Sequence, residues 1–86
     1  MKIARTGRFK KAWGLLSERA KKSGRKAIEN LAVDVNYASL RVKKIKGTDK
    51  LWEARASHSL RITFEIDSNI IVLRNIGKHD QTLRQP

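Results

Sequence analysis

Apolar positions recur along this chain with two different periods. From Phe9 onward the spacing is helical: Phe9, Ala12, Trp13 and Leu16 share one stripe, and Arg8, Lys10 and Lys11 lie off it. This predicts a first helix starting at Arg8, with Trp13 in the core rather than on a base-stacking surface. Ser17 followed by Glu18 reads as an N-cap with an acid in the first turn, so a second helix begins there. On it Ala20, Gly24, Ala27 and Leu31 form a narrow stripe edged by Ile28, while Lys21, Lys22, Arg25 and Lys26 cover the sides and back. A glycine inside a helix costs about 1 kcal/mol relative to alanine, so Gly24 points to a close helix-to-helix contact or a frayed middle.

After a turn at 34–39 the period drops to two. Leu40 and Val42 alternate with Arg41 and Lys43, and Ile45 breaks the phase, which predicts a strand from Leu40 with a bulge or an early end. A turn at 47–50 leads into a hairpin. Trp52, Ala54 and Ala56 face one way and Glu53 and Arg55 the other; Leu60, Ile62, Phe64 and Ile66 then alternate with Arg61, Thr63 and Glu65. With Ser57, His58 and Ser59 as the loop, Trp52 pairs with Phe64, Glu53 with Thr63, Ala54 with Ile62 and Arg55 with Arg61. A two-residue loop would mix the faces, so the apolar pattern selects the longer one. That register sets two arginines opposite each other, a repulsion that an anion between them would relieve, and phosphate suits paired guanidinium groups.

The run IIVLRNIG is a further strand of the sheet interior, entered by a turn at 67–69. A three-residue turn sets Asn75 beside Arg61; a two-residue turn brings Arg74 to that face instead. Residues 77–80 close the strand and QTLRQP is a short tail, while Ile3 starts a weak strand near the N-terminus. The expected fold is therefore α+β: an N-terminal helical pair on one face of a small antiparallel sheet, a single domain over 1–86, with the Arg55/Arg61 face open.

Charge narrows the function. The 86 residues carry a formal net charge of +12. Residues 1–50 hold 15 Lys and Arg against 4 Asp and Glu, and residues 51–86 hold 5 against 4. A field this positive on a small chain makes nucleic acid the first expectation for a partner, ahead of an acidic protein or an anionic membrane. No cysteine is available for a disulfide or a thiolate site. No apolar run reaches the roughly 18 residues needed for a membrane span, and the N-terminus is too charged for a signal peptide, so a soluble cytoplasmic protein is expected. The two histidines show no metal-ligand spacing, and no glycine-rich phosphate loop or activated serine is evident, so no metal or cofactor is expected.

Glu53, Arg55, Arg61 and His79 converge on the open face in this reading. Cutting RNA without a metal takes a base for the 2′-hydroxyl proton, cations for the phosphorane and an acid for the leaving 5′-oxygen. Glu53 or His79 can serve as base or acid, and the arginines as the phosphate clamp. With Asp80 beside His79, the candidate catalytic set is Glu53, Arg55, Arg61, His79 and Asp80. Arg41, Lys43, Lys44, Lys46, Arg74 and Lys78 are the candidate RNA-binding residues.

The segments SLRVKKIKG, LWEARASHSLRITFEI and IIVLRNIGKHD together resemble the RelE/ParE toxin superfamily of type II toxin–antitoxin systems, and most closely its RelE-like and YafQ-like branch. The resemblance covers nearly the whole chain and is strongest from Ser39 to Asp80. It implies a microbial-ribonuclease-like fold and a ribosome-dependent mRNA endonuclease, leaving a 2′,3′-cyclic phosphate or 3′-phosphate and held in check by an acidic antitoxin in a heteromeric complex. It also implies that Arg55 stands where that branch carries a basic or histidine residue, that Arg61 is the arginine of its R-hydrophobic-x-[FY] strand, and that His79 is its residue after the strand-terminal glycine. The tail offers Leu83 where relatives often carry an aromatic residue, and Asn75 stands where some have a further arginine. The alternatives are a ParE-like gyrase inhibitor, or a member that only binds RNA or its antitoxin.

Overall fold

In the computed structural model, which describes residues 1–86, the chain runs β1 (Lys2–Arg5), α1 (Gly7–Gly14), α2 (Glu18–Val33), a 3-10 turn at Ala38–Leu40, β2 (Lys43–Lys44), β3 (Trp52–Arg55), β4 (Leu60–Asp67), β5 (Ile70–Lys78) and α3 (His79–Arg84). The strands form one sheet in the order β1-β5-β4-β3-β2. From β2 to β5 each strand pairs antiparallel with the next, and β1 joins the β5 edge in parallel, so the sheet is mixed. No helix is long and apolar enough to cross a membrane.

Both N-terminal helices start where a side-chain oxygen accepts an otherwise unpaired amide. Thr6 caps α1 through the Phe9 amide and Ser17 caps α2 through the Ala20 amide, each at 3.1 Å. The Thr6 hydroxyl also donates to the carbonyl of Leu73, tying the start of α1 to β5. Phe9 and Leu31 then pack with Ile62, Phe64, Leu73 and Ile76 in one dry core. Trp13 stacks on Phe9 at 6.0 Å between ring centroids. The Gly24 question is answered by contact: a Cβ there would meet Trp13 Cζ3 at 2.8 Å and Ile76 Cδ1 at 3.1 Å. Gly24 is where α1 and α2 close on each other and on the sheet.

The β3–β4 hairpin has the register demanded by its apolar residues: Trp52 opposite Phe64, Glu53 opposite Thr63, Ala54 opposite Ile62, and Arg55 opposite Arg61. Three expectations about the elements need correction. The strand placed from Leu40 begins only at Lys43, because Leu40 belongs to the 3-10 turn and Arg41 sits in the left-handed region at φ 46°, breaking any ladder before it. Neither register proposed for β5 holds throughout. Asp67 pairs with Ile70 around a two-residue turn, and a bulge between Thr63 and Phe64 then makes Arg74 the extra residue, leaving Gly77 opposite Arg61 and Asn75 opposite Thr63. The C-terminal tail, finally, is the helix α3.

That helix changes the second face of the sheet. A Cβ on Gly77 would touch Thr82 Oγ1 at 2.8 Å, so α3 lies on the side that carries Arg61, Thr63 and Asn75. Its C-terminal end is held by the Arg8 guanidinium and by Asn75 Nδ2, both donating to the Gln85 carbonyl, the latter at 3.0 Å. The face expected to be open is thus covered along its middle: Thr63 is 0% exposed and Glu53 5%. Arg55 and Arg61, at the hairpin end, stay partly exposed.

Candidate functional site

The β3–β4 loop and the end of β5 meet at one corner of the sheet. The His79 amide donates to the Ser59 carbonyl at 3.2 Å, and Lys78 pairs with Leu60. Arg55, His58, Arg61, Lys78 and His79 therefore surround a single short loop. Arg61 folds its Nη1 back over that loop, donating to the carbonyls of Ser57 (2.9 Å), His58 (3.2 Å) and Leu60 (3.2 Å). Arg55 turns the other way, its Nη2 3.4 Å from His58 Nδ1. The repulsion between the paired arginines is thus relieved within the chain, by carbonyls for one and an imidazole for the other. The anion inferred from the register is not needed to explain it. Arg61 nonetheless keeps Nε and Nη2 for an external acceptor, since only Nη1 is engaged.

His79 opens α3 and is exposed at its side chain, with Nδ1 3.1 Å from Asp80 Oδ1. Donation from Nδ1 to a carboxylate leaves Nε2 as the unprotonated nitrogen of the neutral ring, the form a proton acceptor requires. Glu53 stands differently. It is buried two residues back along β3, with Lys43 Nζ at 3.8 Å as its ion-pair partner. Of the two candidates for a base, only His79 faces solvent.

The residues proposed to grip RNA divide. Arg41, Lys43, Lys44 and Lys46 project along the β2 edge, all exposed. Lys44 Nζ lies 5.6 Å from the centroid of the Trp52 ring. Lys78 is exposed at the site corner. Arg74 is not available in the same way: its Nη1 is 3.2 Å from Glu65 Oε1 and its Nε donates to the Pro86 carbonyl at 3.3 Å. No group of three or more His, Asp or Glu side chains gathers in metal-binding geometry.

Two features escaped sequence reasoning. His58 enters the sequence reading only as a member of the hairpin loop, and its contact with Arg55 emerges only in the folded chain. α3 is too short to display a helical period, although Asp80 in its first turn and Arg84 in its last match the helix dipole and were the available signal.

No protein-family model and no curated protein matches the sequence. The likeness to known proteins lies in the fold, which is shared with solved structures of RelE-, YoeB- and YafQ-type toxins. A chain of the RelB–RelE antitoxin–toxin complex from Methanococcus jannaschii superposes with a TM-score of 0.75 at 21% identity, over 96% of this chain and 99% of that one. The YoeB/ParE toxin from Agrobacterium tumefaciens gives 0.79 at 14% identity, over 92% and 99%. A metal-bound toxin from Helicobacter pylori gives 0.78 at 22% identity, over 94% and 97%.

Proposed function

We propose that this protein is the toxin of a type II toxin–antitoxin system and that it cuts mRNA on the ribosome without a metal. The observation that carries the reading is the gathering of Arg61, Lys78 and His79 around one loop, on a fold shared with RelE- and YoeB-type toxins. In this scheme His79 Nε2 takes the proton of the 2′-hydroxyl, with Asp80 holding the ring in the useful tautomer. The alkoxide attacks the adjacent phosphorus. Arg61 Nε and Nη2 stabilise the charge that builds on the phosphorane, and the departing 5′-oxygen takes its proton from solvent, to which this corner is open. The products are a 2′,3′-cyclic phosphate and a free 5′-hydroxyl. Burial against Lys43 gives Glu53 a structural part rather than that of the base. Arg55 contributes positive charge beside the loop.

The exposed lysines of the β2 edge and of α2 supply the grip on ribosomal and messenger RNA, so binding weakens steeply with salt. An acidic antitoxin is the cognate partner, by analogy with the RelB–RelE pair. Primer extension on mRNA from cells briefly expressing the protein tests the scheme. Cuts at defined codon positions within translated regions, absent with His79→Ala and with Arg61→Ala, are the expected result. Intact mRNA with growth arrest unchanged in both variants would replace this reading with a non-nucleolytic toxin acting on gyrase.

A further inference from the structure

Between α2 and the β3–β4 loop the surface folds into a cleft of about 250 Å³. Ser23, Lys26 and Asn30 line one wall, successive positions on one stripe of α2. Ser39, Arg55 and His58 line the other. No Asp or Glu reaches the cleft. Every ion pair in the molecule lies elsewhere, so neither Lys26 nor Arg55 has a carboxylate partner. Two unpaired cations face each other across a hollow rimmed by hydroxyl and amide groups.

The contact between Arg55 and His58 defines what His58 offers. A guanidinium is never an acceptor and does not deprotonate in proteins, so at 3.4 Å it is the donor and His58 Nδ1 the acceptor. The neutral ring must then carry its proton on Nε2. His58 becomes a hydrogen-bond donor, as are Lys26, the free arms of Arg55 and the hydroxyls of Ser23 and Ser39. A concave site furnished with donors and lacking acceptor charge is complementary to a tetrahedral oxyanion. Its volume is below the range usual for drug-sized ligands and suits one phosphate group rather than a whole nucleotide.

We propose that this cleft is a phosphate subsite for RNA, in which Lys26, Arg55 and His58 hold a backbone phosphodiester next to the Arg61/His79 corner. The subsite shares the β3–β4 loop with that corner, so a strand entering the corner passes His58. The assignment rests on RNA being the ligand of this protein, but it concerns binding alone and does not require that the RNA be cut.

The test uses the full chain with two probes, a 2′-O-methyl oligouridylate that cannot be cleaved and inorganic phosphate, following the His58 ring signals by NMR alongside binding affinity. The expected result is that both probes shift the His58 ring, and that Lys26→Ala and His58→Ala each weaken the oligonucleotide about tenfold, as loss of a charge-assisted hydrogen bond does. Lys26→Ala should also lower the salt slope of log K by about 0.7. Lys10→Ala, on α1 and away from the cleft, should leave the His58 shift intact. Shifts with inorganic phosphate but not with the oligonucleotide would overturn the RNA assignment and leave a small-anion site. No His58 shift with either probe would overturn the subsite altogether. Because neither probe can be cut, His58 shifts together with a failed cleavage assay would uphold the subsite while rejecting the nuclease.

Discussion

Beneath α1 and α2 the sheet presents Ala54, Ile62, Phe64, Leu73 and Ile76, each 3% exposed or less and each surrounded by apolar neighbours. On its reverse it presents Thr63 and Asn75, on the strands against which α3 packs, and Glu53 on β3. There Thr63 Oγ1 is buried without a hydrogen-bond partner, and Glu53 has a lysine no nearer than 3.8 Å. One face is settled by dispersion and the exclusion of water. The other keeps polar groups in the dark, where each unmade hydrogen bond costs stability. Its cover, α3, is six residues long, too short to hold helical form by itself, and is fastened by Arg8 and Asn75 at its far end. The apolar core and the candidate site residues thus lie on opposite sides of the same three strands, β3, β4 and β5, with the Arg61/His79 corner at the edge where α3 begins.

The contrast can be broken most severely from the apolar side. Phe64→Ala removes a ring at 0% exposure from the centre of the core and should cost about 3–5 kcal/mol, read as a drop in the urea midpoint. For a chain this small that is enough to leave a large unfolded fraction. Gly24→Leu attacks the same face by overpacking. Its side chain would have to displace the Trp13 ring, itself stacked on Phe9, and the expected loss is about 1–3 kcal/mol by the same measurement. A Gly24→Leu variant as stable as the parent would show that α1 can lift off α2 at little cost.

The polar face should respond in the opposite direction. Thr63→Val exchanges the unpartnered hydroxyl for a methyl of similar shape and should stabilise the protein by about 1 kcal/mol. In a domain of this size that raises the melting temperature by about 4–8 °C. A lower melting temperature would mean that the hydroxyl has a partner after all, and that the two faces are less different than they look.

The same contrast decides what could be read from the sequence. On the apolar side nearly everything was legible. The stripes of both helices, the Ser17 cap and the hairpin register all follow from periodicity, because a one-residue slip would turn Trp52, Ala54, Ile62 and Phe64 to the wrong face. The close contact at Gly24 was one of two readings, and Trp13 decides between them. On the polar side less was legible. The bulge at Arg74 shifts every later residue of β5 by one, and nothing in the run IIVLRNIG announces it. α3 is shorter than two helical turns. The side-chain directions of Arg55 and Arg61 depend on loop carbonyls and on His58, whose positions exist only once the loop is closed. The candidate residues were therefore identifiable by type and strand face, whereas their division into a corner around Arg61 and His79 and a separate cleft at Arg55 was not.

The most direct test of the nuclease reading is cleavage of mRNA on programmed ribosomes by the purified protein, with naked mRNA as the parallel reaction. Cutting only on the ribosome, slowed about 10²-fold or more by His79→Ala and again by Arg61→Ala with folding intact, is the result this account predicts. Cleavage at equal rates by the parent and both variants would contradict it, as would a parent protein that arrests growth yet leaves ribosome-bound mRNA whole.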